Sequence, residues 1–150
     1  VITTPLSWVA TANCIAIHGA TPVFADIGDD LNIDPASIEP LITDRTKAIL
    51  PVHFTGKLCR MPEIVELASK HALMIVEDCA QAFGADYRGQ RAGSFGKIGC
   101  FSMNSMKVLA SCGEAGVIVT DDENLYERLL RLRVRQRNNP GEGIGSVSPG

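Results

Sequence analysis

Short apolar segments that alternate with helical patterns constrain the fold of this chain more than any other feature of its sequence. The segments that look like strands are 21–27, 47–54, 72–78, 97–103 and 115–120. The segments with helical patterns are 6–17, 35–42, 61–71 and 123–136. Alternation of this kind is typical of βαβ units. It predicts an α/β fold with a mainly parallel sheet flanked by helices.

The length and composition are those of a single domain. With 150 residues, 45% of them apolar, the chain is long enough for one α/β core and short for two. It opens on Val1, in a strand-like stretch without an initiator methionine, and ends in the glycine-rich GEGIGSVSPG, so we expect a segment of a longer protein. A net charge of −3 provides no general attraction to nucleic acids or anionic membranes.

The cysteines favour a reducing compartment. They are five in number, form no C-x-x-C pair and lie mostly in apolar surroundings, so we expect buried thiols, no disulfide framework and no metal site. No apolar run approaches the roughly 18 residues that a membrane helix needs. We therefore expect a cytoplasmic protein. The cysteines are Cys14, Cys59, Cys79, Cys100 and Cys112.

Polar residues that end the apolar strands mark the candidate site. In open parallel sheets, ligands bind beyond the carboxyl ends of the strands. The places that qualify are His53, the pair Glu77 and Asp78 with Gln81, and the stretch from Ser102 to Lys107. A carboxylate at a strand end can also be a helix cap or a surface group. The small residues of CAQAFGA, directly after Asp78, leave room for a flat ligand.

Lys107 lies in the apolar stretch MNSMKVLA. Most lysines are solvated surface groups. In an apolar pocket, however, an amine is more often neutral, and therefore a nucleophile that can form an imine. Such a lysine, together with an aspartate at a strand end such as Asp78, is the minimal apparatus of a pyridoxal phosphate (PLP) enzyme, in which the carboxylate keeps the pyridine nitrogen protonated. The pattern thus indicates PLP chemistry.

Three stretches of the chain resemble one protein family. They are residues 1–27, 46–56 and 76–122, which include the motifs PVHFTG, VEDCAQ and FSMNSMKVL. These resemble the DegT/StrS-type nucleotide-sugar aminotransferases, which belong to fold type I of PLP enzymes, and the similarity covers residues 1 to about 138. The resemblance implies that residues 1–150 are part of the large, PLP-binding domain. It also implies that the family's N-terminal segment and small C-terminal domain lie outside this chain.

The resemblance implies a role for each residue of the predicted site. Lys107 is the lysine that binds the cofactor aldehyde and carries protons during transfer. Asp78 pairs with the pyridinium nitrogen, and Gln81 approaches the phenolic oxygen of the ring. Ser102 holds the cofactor phosphate. Trp8 stacks on the ring face, although the sequence alone also permits an ordinary core position for it.

Some positions carry no assigned role or depart from the family pattern. His53 lies near the predicted site, and its role is open. Met103 and Asn104 stand where the family usually has a phenylalanine and a histidine or aromatic residue, and Ala115 replaces a common glycine. These departures leave the cofactor prediction intact and the details of substrate recognition open.

The resemblance implies an enzyme that transfers an amino group, with glutamate as the expected donor, to a keto group of a nucleotide-linked sugar. It implies a role in nucleotide-sugar and polysaccharide biosynthesis, and a homodimer whose subunits complete each other's sites. We expect no metal, nucleic acid or membrane partner. Which sugar is aminated, and whether a cyclitol or an amino-shikimate-type ketone replaces it, is open.

Three alternatives compete with amino transfer. A PLP-dependent sugar dehydratase of the same fold replaces the lysine with histidine, so the presence of Lys107 favours transfer. A non-catalytic or regulatory relative would keep the fold. A nicotinamide-dependent oxidoreductase is disfavoured, because GEGIGS lacks the third glycine of G-x-G-x-x-G and follows a helical pattern.

Overall fold

The computed structural model describes residues 1–133. Its strands are β1 (Ile2–Thr3), β2 (Val23–Phe24), β3 (Ala48–Leu50), β4 (Met74–Asp78), β5 (Asp86–Tyr87), β6 (Gln90–Arg91), β7 (Ile98–Ser102) and β8 (Gly116–Val119). Its helices are α1 (Val9–Ala16), α2 (Pro35–Ile38), α3 (Met61–Lys70) and α4 (Glu123–Arg133), and a 3-10 turn over Glu39–Leu41 follows α2.

A six-stranded sheet organises the described residues, with the strand order β2-β1-β3-β4-β7-β8. The first five strands pair in parallel, and β8 is antiparallel to β7. The predicted α/β fold with a mainly parallel sheet is therefore confirmed. The short antiparallel pair of β5 and β6 forms a separate hairpin between β4 and β7 in the chain, which no prediction covered.

Two of the predicted strands are much shorter than expected. The strand predicted over 21–27 is only Val23–Phe24. The strand predicted over 47–54 ends at Leu50, because Pro51 has no N–H to donate to the ladder. Val52 pairs beyond it only through an isolated bridge to Asp78. The other three strands match their predicted bounds to within two residues.

The helices also differ from their predicted bounds. The helix predicted over 6–17 begins later, after Trp8, whose side chain provides no cap. The helix predicted over 35–42 is divided into α2 and the 3-10 turn. As expected, Asp34 caps α2, since its Oδ1 accepts a hydrogen bond from the Ala36 N–H at 3.1 Å. Residues 134–136 of the last predicted helix lie outside the described part of the chain.

Helices cover both faces of the sheet, because successive side chains of a strand point to opposite faces. On β3, Ile49 packs against α2 and α3, whereas Leu50 packs with Ile15 of α1. The larger cluster includes Ile2, Ile33, Ile38, Met61, Ile64 and Ile75. The carboxyl ends of β3, β4 and β7 therefore open beside α1. Over residues 1–133, the structure contains no helix with the length and apolar character needed to cross a membrane.

Candidate active site

A cavity of about 290 Å³ lies where the carboxyl ends of β4 and β7 meet α1. Side chains from all three elements line it, and they are mostly small. The lining includes Ala10, Thr11, Cys14, Asp78, Cys100 and Ser102. The predicted position of the site, beyond the carboxyl ends of parallel strands, thus coincides with a cavity.

Asp78 is held firmly at this cavity. Its Oδ2 accepts a hydrogen bond from the Thr11 hydroxyl at 2.9 Å, and its Oδ1 accepts one from the Ala80 N–H at 3.1 Å. Its backbone N–H donates to the Pro51 carbonyl, and its carbonyl accepts from the His53 N–H, so the main chain is also fixed. The carboxylate therefore has a defined orientation beside the cavity.

Ser102 ends the neighbouring strand and lines the same cavity. Asp78 pairs with Cys100 in the parallel ladder, so Ser102 lies one pleat further along on the same face of the sheet. Its Oγ accepts a hydrogen bond from the Asn104 N–H at 3.4 Å. The structure therefore brings Asp78 and Ser102 together as the sequence predicted.

Lys107 lies in the turn that follows β7, and it is half-buried. Asn104 shapes this turn: its carbonyl accepts a hydrogen bond from the Lys107 N–H, and its Oδ1 accepts one from the Met106 N–H, both at 2.9 Å. These bonds give Asn104 a role that was open from the sequence, which is to hold the segment that carries the lysine. The Lys107 side chain is not part of the described lining of the cavity.

The expected apolar pocket around Lys107 is not formed by the described residues. Met106 is 89% exposed and Val108 is 68% exposed. The apolar run in the sequence is a turn, so its side chains point to several sides instead of enclosing the amine. The prediction of a dry pocket built by these neighbours was wrong.

Trp8 and Gln81 lie on exposed segments outside the cavity lining. Trp8 immediately precedes α1 and is 77% exposed, so it is not a core residue. Gln81 is exposed in the turn after β4. The helix that follows Trp8 contributes Ala10 and Thr11 to the cavity, which places the tryptophan at the end of a cavity-lining helix.

Glu77 and Asp78, which the sequence grouped together, lie on opposite faces of β4. The Glu77 side chain is fully buried on the face away from the cavity. Its Oε1 accepts hydrogen bonds from the N–H groups of Phe95 and Gly96 at 2.8 and 2.7 Å, and its Oε2 accepts one from Gly93 at 2.9 Å. Glu77 also borders the cavity, but its carboxylate is taken up by the loop that leads into β7, which it anchors.

His53 completes this buried arrangement. Its Nδ1 accepts a hydrogen bond from the Cys59 N–H at 3.1 Å, so its ring proton is on Nε2, which donates to Glu77 Oε2 at 3.2 Å. Burial by itself raises the pKa of Glu77, but the hydrogen bonds from His53 and the backbone outweigh burial, and the pKa of Glu77 lies below its usual value. The structure therefore assigns His53 a structural role behind the site.

His53, Glu77 and Cys79 have the residue types of a metal site, and their ligand atoms lie within 4.8 Å of one another. Both nitrogens of His53 and both oxygens of Glu77, however, already have partners in the protein. Burial, followed by the nearby charge of Glu77, strongly raises the pKa of the Cys79 thiol, which disfavours the thiolate that a metal needs. We assign these side chains to the core.

A second cavity, of about 340 Å³, lies on the face of the sheet opposite Asp78. Its lining is mainly apolar and includes Phe83, Leu109 and Val117. It contains none of the residues that the sequence predicted for the site.

Sequence reasoning missed Thr11 as part of the site. It is buried on α1 and its hydroxyl reaches a carboxylate 67 positions further along the chain. The one local signal is its spacing from Ser7, four residues earlier, whose Oγ lies 2.7 Å from Thr11 Oγ1.

The chain is similar to known proteins over most of its length. A sequence profile of the DegT/DnrJ/EryC1/StrS aminotransferase family matches residues 1–143. The UDP-N-acetyl-3-dehydro-alpha-D-glucosamine 3-aminotransferase of Acidithiobacillus ferrooxidans is 48% identical over 134 residues, which are 89% of this chain and 36% of the relative. The L-glutamine:2-deoxy-scyllo-inosose aminotransferase of Streptomyces paromomycinus is 42% identical over 146 residues, which are 97% of this chain and 34% of the relative.

A solved structure shows the same fold. The crystal structure of ntda from Bacillus subtilis with bound cofactor PMP has a TM-score of 0.80 and 36% identity, over 87% of this chain and 29% of that one. This chain spans about a third of the length of the curated relatives that it matches. The profile match over nearly all of the sequence shows that the chain belongs to the DegT/DnrJ/EryC1/StrS aminotransferase family.

Proposed function

We propose that the whole protein is a PLP-dependent aminotransferase, which moves an amino group from an amino acid, with glutamate as the first donor to test, to a keto group of a nucleotide-linked sugar. The observation that carries this proposal is the cavity in which a carboxylate and a hydroxyl from two neighbouring parallel strands converge. Relatives that act on nucleotide sugars, such as the one from Acidithiobacillus ferrooxidans, support the substrate class.

The residues of the cavity fit PLP. A ring nitrogen that must stay protonated needs an anionic partner, and the oriented carboxylate of Asp78 meets that need. A phosphate needs hydrogen-bond donors, and the Ser102 hydroxyl is available on the adjacent strand. Ala10 and Ala80 leave space between these groups for a flat ring.

Each predicted residue then has a task. When bound, PLP supplies a carbon that holds the amino group and a ring that accepts electrons from the substrate. Asp78 binds the ring nitrogen, Ser102 binds the phosphate and Trp8 covers one face of the ring. Lys107 takes up and returns the proton at the substrate carbon, as a general base and acid.

Gln81 is assigned to the phenolic oxygen of the ring. Its position in the turn directly after Asp78 supports this assignment, because the turn extends beyond the carboxyl end of β4. Lys107 is supported in the same way, since it follows Ser102 in the turn that leaves β7. Each of the two residues thus follows a cavity-lining residue, Ala80 for Gln81 and Ser102 for Lys107.

We further propose that the whole protein is a cytoplasmic homodimer that acts in nucleotide-sugar or polysaccharide biosynthesis. The exposed side chains of Met106 and Val108 support a dimer, because apolar surface near a site is commonly covered by another subunit. In such a dimer, the partner subunit would cover the turn that carries Lys107.

The test uses the whole protein, incubated with PLP and then with an amino donor and a panel of keto substrates. The donors are glutamate and glutamine, and the panel includes keto-sugar nucleotides and a keto-cyclitol, since one relative is named for that class. We expect an absorbance band of the bound cofactor near the edge of the visible range. The band should change when the amino donor is added and return when the correct ketone is added afterwards. Product mass gives the aminated compound.

The matched variants are Lys107→Ala and Lys97→Ala. Lys97 is an exposed lysine directly before β7, at the end of the strand far from the cavity. Its variant should therefore keep the band and the activity. The Lys107 variant should lose the donor-induced change and turnover. Absence of any band in the wild-type protein would overturn the proposal and favour a regulatory relative, and a deoxygenated product would favour a dehydratase.

A further inference from the structure

A chain of two hydroxyl groups leads to the carboxylate of Asp78. Thr11 Oγ1 donates its single hydrogen to Asp78 Oδ2 at 2.9 Å. Ser7 Oγ lies 2.7 Å from the same Thr11 oxygen. Because the Thr11 hydrogen is already used, Ser7 must be the donor in the second bond. The bonds therefore run in one direction, from Ser7 through Thr11 to Asp78.

These hydrogen bonds connect the two segments that would contact different parts of a bound ring. Ser7 and Thr11 flank Trp8, the residue before α1, while Asp78 ends β4. Thr11 is only 6% exposed, so its hydroxyl is fixed by packing as well as by its bonds. The position of the tryptophan relative to the carboxylate thus depends on the two hydroxyls.

We propose that Thr11, supported by Ser7, is a positioning residue for the cofactor, which orients the Asp78 carboxylate toward the ring nitrogen and sets the place of Trp8 over the ring. This inference rests on the proposed function. Thr11 uses one lone pair of Oδ2, and the Ala80 N–H uses one on Oδ1, so the carboxylate cannot turn freely. A carboxylate that is held in this way meets the ring nitrogen without an added cost of ordering.

The test compares PLP affinity in the whole protein for Thr11→Val, Thr11→Ser and Ser7→Ala. The apoprotein is titrated with PLP, and the pH profile of the bound-cofactor band is recorded. Thr11→Val keeps the shape and removes the hydroxyl, so we expect roughly ten-fold weaker binding and a displaced pH transition of the bound-cofactor band. Thr11→Ser should restore both values, and Ser7→Ala should weaken binding roughly three-fold.

Thr120→Val is the matched control. Its hydroxyl donates to the Lys97 carbonyl at 2.7 Å, at the opposite edge of the sheet, so the same chemical change there should leave affinity and pH profile unchanged. The melting temperature of each apoprotein separates a loss of positioning from a loss of folding. If Thr11→Val does not fold, Ser7→Ala decides, and unchanged affinity in that variant overturns the inference.

Two negative results have different meanings. Unchanged affinity and pH profile in Thr11→Val, alongside weak binding in Asp78→Asn, would overturn the role of Thr11 and leave the proposed function standing. A wild-type protein that binds no PLP would overturn the proposed function, and the positioning role with it.

Discussion

The imidazole of His53 and the carboxylate of Glu77 lie 3.2 Å apart, from Nε2 to Oε2, and both side chains are completely buried. They are separated by 24 positions in the chain. Glu77 also binds three backbone N–H groups of the loop before β7. The pair therefore fixes the back of the strand whose last residue, Asp78, faces the cavity.

Replacing Glu77 with glutamine should lower the free energy of unfolding at pH 7 by about 3 kcal/mol, because an amide cannot satisfy all four donors. The pKa of Glu77 is lowered from 4.5 in the folded protein, so its stabilisation is complete above that pH and is lost as the pH falls below it. Denaturant unfolding of the whole protein between pH 7 and pH 3.5 measures both effects.

Wild type should lose more stability than Glu77→Gln across that interval. Glu66→Gln, at an exposed position on α3, is the control and should follow the wild-type curve. Parallel curves for wild type and Glu77→Gln would contradict the assignment of Glu77 as the buried, ionised anchor.

An alanine at Gly99 should destabilise the protein by about 2 kcal/mol. A Cβ atom there would lie 2.4 Å from the Gly93 Cα and 2.6 Å from the Gly93 carbonyl oxygen, closer than packed atoms approach. Moving Gly93 would also stretch its hydrogen bond to Glu77. Gly28→Ala is the control, since its Cβ would meet its nearest atom at 3.4 Å. Equal melting temperatures for the two variants would contradict this packing.

Truncating Trp8 should affect the cofactor and not the fold. Its side chain is largely exposed, so we expect Trp8→Ala to change the free energy of unfolding by less than about 0.5 kcal/mol. Loss of ring stacking should weaken PLP binding roughly two- to ten-fold. Ile17→Ala removes a similarly exposed apolar side chain beyond the other end of α1. It should leave both the free energy of unfolding and the PLP affinity unchanged. The same loss of affinity in both variants would count against stacking by Trp8.

Cysteine labelling should map the cavity. Cys14 and Cys100 line it, and PLP should slow their alkylation at pH 8, whereas the exposed Cys112 lies outside the lining and should react at an unchanged rate. Burial raises the pKa of Cys100 to about 11 and that of Cys59 to about 12, so Cys100 should react slowly and Cys59 only after unfolding. Mass spectrometry of peptides gives each rate. If PLP slowed the alkylation of Cys112 more than that of Cys14, the proposed position of the cofactor would be wrong.

The strands that carry the site were predictable because their apolar runs stop at polar residues. Asp78 and Ser102 end adjacent parallel strands, and that rule alone brings them to one edge of the sheet. The expectation of buried thiols held for Cys59 and Cys79, while Cys100 is partly buried and Cys14 and Cys112 are exposed. Apolar neighbours in sequence do not enclose a side chain in a surface helix or turn.

Long-range pairs could not be read from sequence patterns. The contacts of Thr11 with Asp78 and of His53 with Glu77 depend on how helix and strand pack, not on spacing. The β5–β6 hairpin was missed because its turn uses Arg88 and Gly89, both with positive φ, where Asn-Gly is the usual signal. The surroundings of Lys107 were misjudged because an apolar run was taken to be buried when it forms a turn.

The alternation of side chains along β4 makes this strand intolerant of changes in length. Inserting or deleting one residue within it would exchange the faces of the two acids, so that Glu77 would point into the cavity and Asp78 into the core. A substitution can therefore change one face of β4 and leave the other intact. A one-residue insertion would instead remove both the loop anchor and the carboxylate at the cavity.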